Sequence, residues 1–80
     1  MLEQRVKKIL SQLFQIPVES INEDTSSDTV PNWNSLAHMN LVVALEEEFG
    51  VSFSDEQMIE MLSYPLIVLT VKEAANEKTI

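Results

Sequence analysis

Residues 31–50 read PNWNSLAHMNLVVALEEEFG, and this stretch decides the fold. Asn34 and Ser35 are both good helix N-caps, because a short side-chain oxygen accepts a hydrogen bond from a free N–H of the first turn. Gly50 is the only glycine in the chain and stands where a helix that starts at this point should end. The stretch therefore predicts a helix over residues 35–49, closed by a glycine in the left-handed conformation.

This predicted helix has two apolar faces. They are distinct because successive residues of a helix lie about 100° apart around its axis. The first face is a core stripe that contains His38, Leu41, Val42, Leu45 and Phe49. The second apolar face contains Leu36, Met39 and Val43, and its borders are Asn40, Glu46 and Glu47. A small domain needs only one apolar stripe per helix to fold. The second apolar face is therefore either a docking surface or is covered by a loop or by the last helix.

The length and composition indicate one small domain over residues 1–80. A chain of this length buries roughly 60% of its unfolded surface, which leaves little room for a deep active-site cleft. There is no cysteine, so disulfides and thiolate metal sites are excluded. No stretch approaches the ~20 apolar residues of a membrane span, and the N-terminus does not resemble a secretory signal, so we expect a soluble cytoplasmic protein. We also expect a monomer.

The charge distribution is strongly one-sided, with thirteen acidic against five basic residues. No lysine or arginine occurs from residue 9 to residue 71, and this region carries ten of the acids. Such a surface repels nucleic acids and anionic membranes, and it attracts basic partner surfaces. The alternative interpretation is that the acids serve solubility alone.

The remaining periodicity predicts three further helices. An apolar stripe predicts a first helix over residues 2–15, ended by Pro17, with Arg5, Lys7 and Lys8 on a solvated face. The long connection over residues 16–34 contains two prolines and a Ser/Thr/Asn/Asp cluster. Its expected anchors in the core are Ile16, Val18, Ile21, Val30 and Trp33.

The segment after Gly50 predicts a short helix, a connector and a last helix. Val51 and Phe53 are expected to point inward, and Ser54 to Gln57 has the form of a capping box. The short helix should run to about Leu62, and the residues that it should bury are Met58, Ile59 and Leu62. Residues 66–69 are interpreted as a buried connector after Tyr64-Pro65. Thr70 should cap a last helix over residues 71–78, whose inward residues are Val71, Ala74 and Ala75.

The catalytic and metal-binding possibilities are few. Ser35 and His38 are three residues apart and can be neighbours on one helix, which would suit a nucleophile and its base. The signal is weak, because no glycine-flanked nucleophile elbow surrounds Ser35. A lone histidine on a core stripe is more often packed and hydrogen-bonded. The acidic loop does not fit a calcium-loop spacing, and consecutive glutamates on a helix do not converge, so no metal site is predicted.

The segment WNSLAHMNLVVALEEEFG resembles the helix-two signature of acyl carrier proteins, and the order of the other segments extends the resemblance over nearly the whole chain. The resemblance implies an all-α, four-helix fold and a 4′-phosphopantetheine arm on Ser35, transferred from coenzyme A by a phosphopantetheinyl transferase with magnesium. Such carriers are not enzymes. They bear acyl groups as thioesters for fatty-acid, polyketide or modified-lipid biosynthesis, and partner enzymes dock on them with basic patches. The docking residues carried over by position are Asn34, Leu36, Met39, Val43, Glu46 and Glu47.

Three positions depart from that pattern. Asn34 stands where the family usually has aspartate, and Ala37 and Asn40 stand where fatty-acid-synthesis carriers tend to have acids. These departures favour a specialised carrier over a general one. Two alternatives are an aminoacyl or peptidyl carrier with the same arm, and a helical adaptor that has lost the arm.

Overall fold

The computed structural model describes the backbone of residues 2–78 and the side chains of residues 2–75. The helices are α1 (Leu2–Phe14), α2 (Ser35–Phe49), α3 (Asp55–Glu60) and α4 (Tyr64–Lys78). A 3-10 turn over Val18–Ser20 lies in the α1–α2 connection. Residues 2–78 contain no β-strand, so the predicted all-α architecture of three main helices and one short helix is confirmed. Within this part of the chain, no helix combines the length and apolarity that crossing a membrane requires.

Helix α2 begins and ends where its sequence predicts. The Asn34 side chain accepts a hydrogen bond from the Ala37 N–H at 2.9 Å, so Asn34 is the N-cap and Ser35 is the first helical residue. Gly50 has φ 63° and ψ 40°, and its N–H donates to the Glu46 carbonyl. Because this left-handed conformation costs energy for a residue with a Cβ atom, the single glycine closes α2 without that strain.

The core is formed by the facing stripes of α1, α2 and α4. Each helix contributes side chains with almost no solvent exposure; they are Val6, Leu10, Phe14, Leu41, Val42, Leu45, Ile67 and Val71. The loops close the core with Ile21, Val30, Trp33, Val51 and Phe53, all buried as expected. Ile16 is partly buried, whereas Val18 is exposed, so the prediction that Val18 anchors the loop is wrong.

Helix α4 is longer than the sequence predicted. The connector over residues 66–69 and the helix over residues 71–78 are one continuous helix that begins at Tyr64. Pro65 lies in its first turn, where a missing N–H removes no intrahelical bond. Ser63 caps the start of α4. Its hydroxyl accepts a hydrogen bond from the Leu66 N–H, and its carbonyl accepts one from the Ile67 N–H. Thr70 is therefore no cap; its hydroxyl donates to the Leu66 carbonyl inside the helix at 2.7 Å.

Two further boundaries differ from the predictions. Helix α1 ends at Phe14, because Gln15 takes a left-handed conformation with φ 57° and the Ile16 N–H donates back to the Ser11 carbonyl. Helix α3 begins with the predicted Ser54 capping box but ends at Glu60. The predicted burial of Ile59 and Leu62 is also wrong, since both side chains are exposed. Met61 is buried in the core in their place. Leu62 lies beyond the end of α3, and its side chain is not buried.

Two of the three bases of α1 contact neighbouring helices rather than water alone. The Arg5 guanidinium donates to the Glu48 carboxylate and carbonyl, both at 2.9 Å, and lies over the Phe49 ring. The Lys7 ammonium lies 5.6 Å from the centre of the Tyr64 ring. The prediction of a solvated face is therefore confirmed for Lys8, which is exposed, and it is only partly correct for Arg5 and Lys7.

Candidate functional site

The start of α2 presents a free serine hydroxyl on the surface. Ser35 is exposed, and within the described part of the chain its hydroxyl has no hydrogen-bond partner. Asn34 caps the Ala37 N–H, which leaves the N–H groups of Ser35 and Leu36 available to solvent. A helix N-terminus with free N–H groups favours a negative charge, because these donors and the helix dipole point outward. The position is suited to a phosphorylated or phosphodiester-linked group.

The second apolar face lies open to solvent next to this serine. Leu36 is 74% exposed, Met39 51% and Val43 49%. Neither the long connection nor α4 covers these three side chains, so the alternative in which the face packs inside the domain is wrong. Exposed apolar side chains that adjoin one another are a feature of interaction sites.

The three consecutive glutamates at the end of α2 have different surroundings. The Glu46 carboxylate is half-buried and accepts from the Phe53 N–H at 2.9 Å, which ties the α2–α3 connection to α2. The Glu48 carboxylate is paired with Arg5. Glu47 is exposed, and no partner is found for it among residues 2–75. Of the two glutamates assigned to docking from the sequence, only Glu47 presents an uncommitted carboxylate.

The His38 ring is fully engaged in hydrogen bonds away from Ser35. The Trp33 indole N–H donates to His38 Nδ1 at 3.0 Å. Since Nδ1 accepts, the ring proton is on Nε2, which lies 2.7 Å from the Met58 carbonyl and donates to it. Both nitrogens are occupied, so His38 is no base for Ser35. The interpretation of His38 as a packed and hydrogen-bonded histidine is confirmed, and the serine–histidine dyad is excluded.

These two bonds to His38 were not foreseen from the sequence. One signal was available, because a buried indole N–H needs an acceptor and His38 is five residues from Trp33. Nothing in the sequence indicated the Met58 carbonyl, which comes from another helix.

An open groove of about 410 Å³ lies between α2 and α3, about one helical turn along α2 from Ser35. Its lining is mostly apolar and consists of His38, Met39, Asp55, Met58 and Ile59. Ile59 is 70% exposed and lines the groove together with Met39. The apolar surface therefore continues from α2 onto α3. Among the side chains described, no cluster of three or more His, Asp and Glu residues is arranged to hold a metal ion.

Comparison with known proteins assigns the chain to a family. The family model described as a phosphopantetheine attachment site matches residues 4–64. The acyl carrier protein of Buchnera aphidicola subsp. Schizaphis graminum is 38% identical over 55 residues, which cover 69% of this chain and 70% of that protein. The acyl carrier protein of Buchnera aphidicola subsp. Acyrthosiphon pisum (strain Tuc7) is 39% identical over 56 residues, 70% of each chain.

The chain belongs to the acyl carrier protein family. Proteins of this family are carriers and not enzymes, and they work with a phosphopantetheinyl transferase and with acyl-processing enzymes. The cofactor of this carrier is 4′-phosphopantetheine. The start of α2 fits that group chemically: Ser35 has a hydroxyl that no described residue engages and that can form an ester, and the N–H groups of Ser35 and Leu36, which have no intrahelical acceptor, favour a nearby negative charge.

Proposed function

We propose that this carrier bears its phosphopantetheine arm on Ser35 and transports acyl intermediates of fatty-acid, polyketide or modified-lipid biosynthesis. The observation that supports the attachment point is the free, exposed hydroxyl of Ser35 at the N-terminus of a fifteen-residue helix. Exposure matters twice, because a transferase must reach the hydroxyl and later enzymes must reach the end of the arm. The arm supplies a terminal thiol, which the cysteine-free chain lacks, for thioester formation.

The proposed attachment is a phosphoryl transfer to Ser35. Its Oγ forms a bond to the phosphorus that joins phosphopantetheine to the rest of coenzyme A, and adenosine 3′,5′-bisphosphate leaves. The hydroxyl proton passes to a base of the transferase or to solvent, since His38 is hydrogen-bonded elsewhere. The resulting phosphodiester keeps one negative charge, which the N–H groups of Ser35 and Leu36 and the dipole of α2 stabilise.

The attachment is tested by incubating the protein with coenzyme A, magnesium and a broad-specificity phosphopantetheinyl transferase, followed by intact and peptide mass spectrometry. We expect a gain of one phosphopantetheine per chain, located on Ser35. Ser35→Ala should abolish the gain and leave the fold intact, because the helix cap is Asn34 and not Ser35. Ser54→Ala is the matched control at another helix start and should still gain one arm.

An unmodified Ser35 after treatment with several transferases would instead support the adaptor alternative, for which Asn34 is the supporting feature. A modified Ser35 leaves two kinds of cargo. Loading assays with acyl-adenylating and amino-acid-adenylating enzymes separate an acyl carrier from an aminoacyl or peptidyl carrier, and we expect the acyl enzymes alone to load it.

The docking surface that we propose is the second apolar face together with Asn34, Glu46 and Glu47. Its partners are enzymes with a basic patch, because the only charged side chains on its border are acidic. The apolar centre should set the lifetime of a complex, whereas the exposed carboxylate of Glu47 should speed encounter. Glu46 contributes negative potential from a half-buried position.

The docking surface is tested by binding kinetics with a phosphopantetheinyl transferase and by thermal melts of the same variants. Met39→Ala and Val43→Ala should mainly speed dissociation, and Glu47→Lys should slow association and weaken its salt dependence. Leu45→Ala is the matched control on the buried stripe of α2 and should destabilise the fold by about 2–5 kcal/mol. If Met39→Ala unfolds the domain as badly as Leu45→Ala, the face is part of the core and the proposal is wrong.

A further inference from the structure

Three separate parts of the chain meet at the His38 ring. Trp33, from the loop that precedes Ser35, donates to Nδ1, and Nε2 donates to the Met58 carbonyl of α3. The Trp33 ring also stacks on Phe14 of α1, with ring centres 5.1 Å apart, and on the His38 ring at 6.2 Å. One side chain of α2 therefore connects the loop that precedes Ser35 to α3, and Trp33 extends the connection to α1.

The bond to Met58 joins two residues that line the groove between α2 and α3. Met39 of α2 and Ile59 of α3 also line this groove, and both are more than half exposed. Helix α3 has only six residues, and helices this short have little stability of their own in water. The position of Ile59 relative to Met39 and Ser35 therefore depends on tertiary bonds, and the His38–Met58 bond is one that joins two residues of the groove lining.

We propose that His38 is a positioning residue: its ring holds α3 at the spacing from α2 that partner enzymes of the carrier recognise. This inference rests on the proposed function, since it assumes that partners approach Ser35 over the second apolar face. A surface that is fixed before binding loses less conformational freedom when a partner docks. Loss of the bond should therefore weaken the binding of a partner and leave the chemical step at Ser35 largely unchanged.

The test compares priming kinetics of the full chain with three replacements of His38. His38→Phe keeps the ring and loses both bonds, His38→Asn keeps an acceptor near the position of Nδ1, and His38→Gln keeps a donor near the position of Nε2. We expect KM for the carrier to rise about three- to tenfold in the Phe and Asn variants, the range that loss of one net hydrogen bond gives. The KM of the Gln variant should lie closer to that of the wild type, and kcat should be similar in all four proteins.

Val6→Ala is the control for a general loss of stability, because it removes core packing on α1 without touching the groove. Its KM should stay at the wild-type value in spite of a lower melting temperature. An unchanged KM in the Phe variant, or equal KM values for Gln and Asn, would overturn the proposal. If the Phe variant does not fold, the comparison of Gln with Asn decides.

A second measurement uses unmodified protein and therefore does not depend on Ser35. Since Trp33 is the only tryptophan, its indole N–H gives a single resonance in a proton–nitrogen spectrum. The resonance should have the chemical shift of a hydrogen-bonded indole in the wild type, and it should change in His38→Phe, which removes the acceptor at Nδ1. An equal indole resonance in the two proteins, or a neutral wild-type His38 ring with its proton on Nδ1, contradicts the linkage even if Ser35 accepts the arm.

Discussion

Asn34 combines a structural role with a missing charge. Its side chain closes the first turn of α2, which aspartate would do equally well. It also stands directly before the proposed attachment serine, where the resemblance to acyl carrier proteins predicts an acid that helps the metal-dependent step of the transferase. The amide therefore keeps the cap and removes a negative charge from the site of that step.

We predict that Asn34→Asp speeds priming. The added carboxylate would lie beside the transferase's magnesium, and it also interacts favourably with the N-terminus of α2. The measurement is the initial rate of arm transfer to the two proteins with the same transferase. An equal or slower rate for the aspartate variant would show that Asn34 is no handicap to priming.

Glu46 and Glu47 are adjacent residues whose replacement should have different effects. We predict that Glu46→Ala lowers the melting temperature, because the Phe53 N–H loses its acceptor and a lost partner for a part-buried donor costs about 1–3 kcal/mol. Glu47→Ala should leave the melting temperature within error and slow association with a basic partner. Thermal melts and association rates of both variants test this, and equal melting temperatures would show that the Glu46 bond adds nothing to stability.

At the scale of the helix, the end of α1 carries a conformational strain that the end of α2 avoids. Gln15 has φ 57°, close to the conformation of Gly50, yet it carries a Cβ atom. The bond from the Ile16 N–H to the Ser11 carbonyl fixes this conformation, in the pattern of a Schellman closure.

We predict that Gln15→Gly raises the free energy of unfolding by about 0.5–1 kcal/mol. Glycine removes the steric penalty of the left-handed conformation, which exceeds the extra chain entropy that glycine gains when unfolded. Gln15→Ala is the matched control, since it removes the exposed side chain and keeps the Cβ atom. Urea denaturation of the three proteins measures the difference, and a glycine variant no more stable than the alanine variant would contradict the prediction.

The whole molecule carries an excess of negative charge that its few bases do not relieve. Arg5 pairs with Glu48 and Lys72 with Glu3, and all four side chains are about half exposed. Surface ion pairs of this kind contribute little to the free energy of unfolding, with a median of about 0–1 kcal/mol. The acids between residues 9 and 71 therefore repel one another more in the folded protein than in an extended chain.

We predict that the melting temperature rises in moderate salt or in millimolar magnesium. Screening reduces the repulsion, because the Debye length falls to about 10 Å at 0.1 M salt. The two surface pairs weaken under the same conditions, but they engage only two of the thirteen acids, Glu48 and Glu3. Thermal melts across sodium chloride and magnesium chloride titrations test this prediction, and a flat melting temperature would count against it.

We also predict that stability falls in alkali through Tyr64. Burial raises the pKa of the Tyr64 phenol, and the nearby Glu3 carboxylate raises it further. Because the unfolded chain loses this proton first, the stabilisation is complete below the unfolded pKa of about 10 and is lost as the pH rises through the folded pKa. Tyr64→Phe should show a smaller decline in melting temperature above pH 10, and an equal decline would exclude Tyr64 as the cause.

The sequence by itself determined α2, both of its faces and the serine at its start. These features are local, since an N-cap oxygen, a helical spacing of apolar residues and a terminal glycine act within a few residues of one another. The same reason explains why the Ser54 capping box and the inward positions of Val51 and Phe53 were predicted correctly. The identity of the family followed from the same stretch, through the residues around Ser35.

The tertiary structure alone decided how the segments join and which polar groups meet. Pro65 suggested a helix stop, and only the packing of Ile67 and Val71 against the core made it the first turn of α4. The bonds from Glu46 to Phe53 and from His38 to Met58 join side chains to backbone groups of other segments. Such partners depend on how helices pack in space, and a helical periodicity specifies which face of α2 is buried but not which carbonyl of α3 will lie against it.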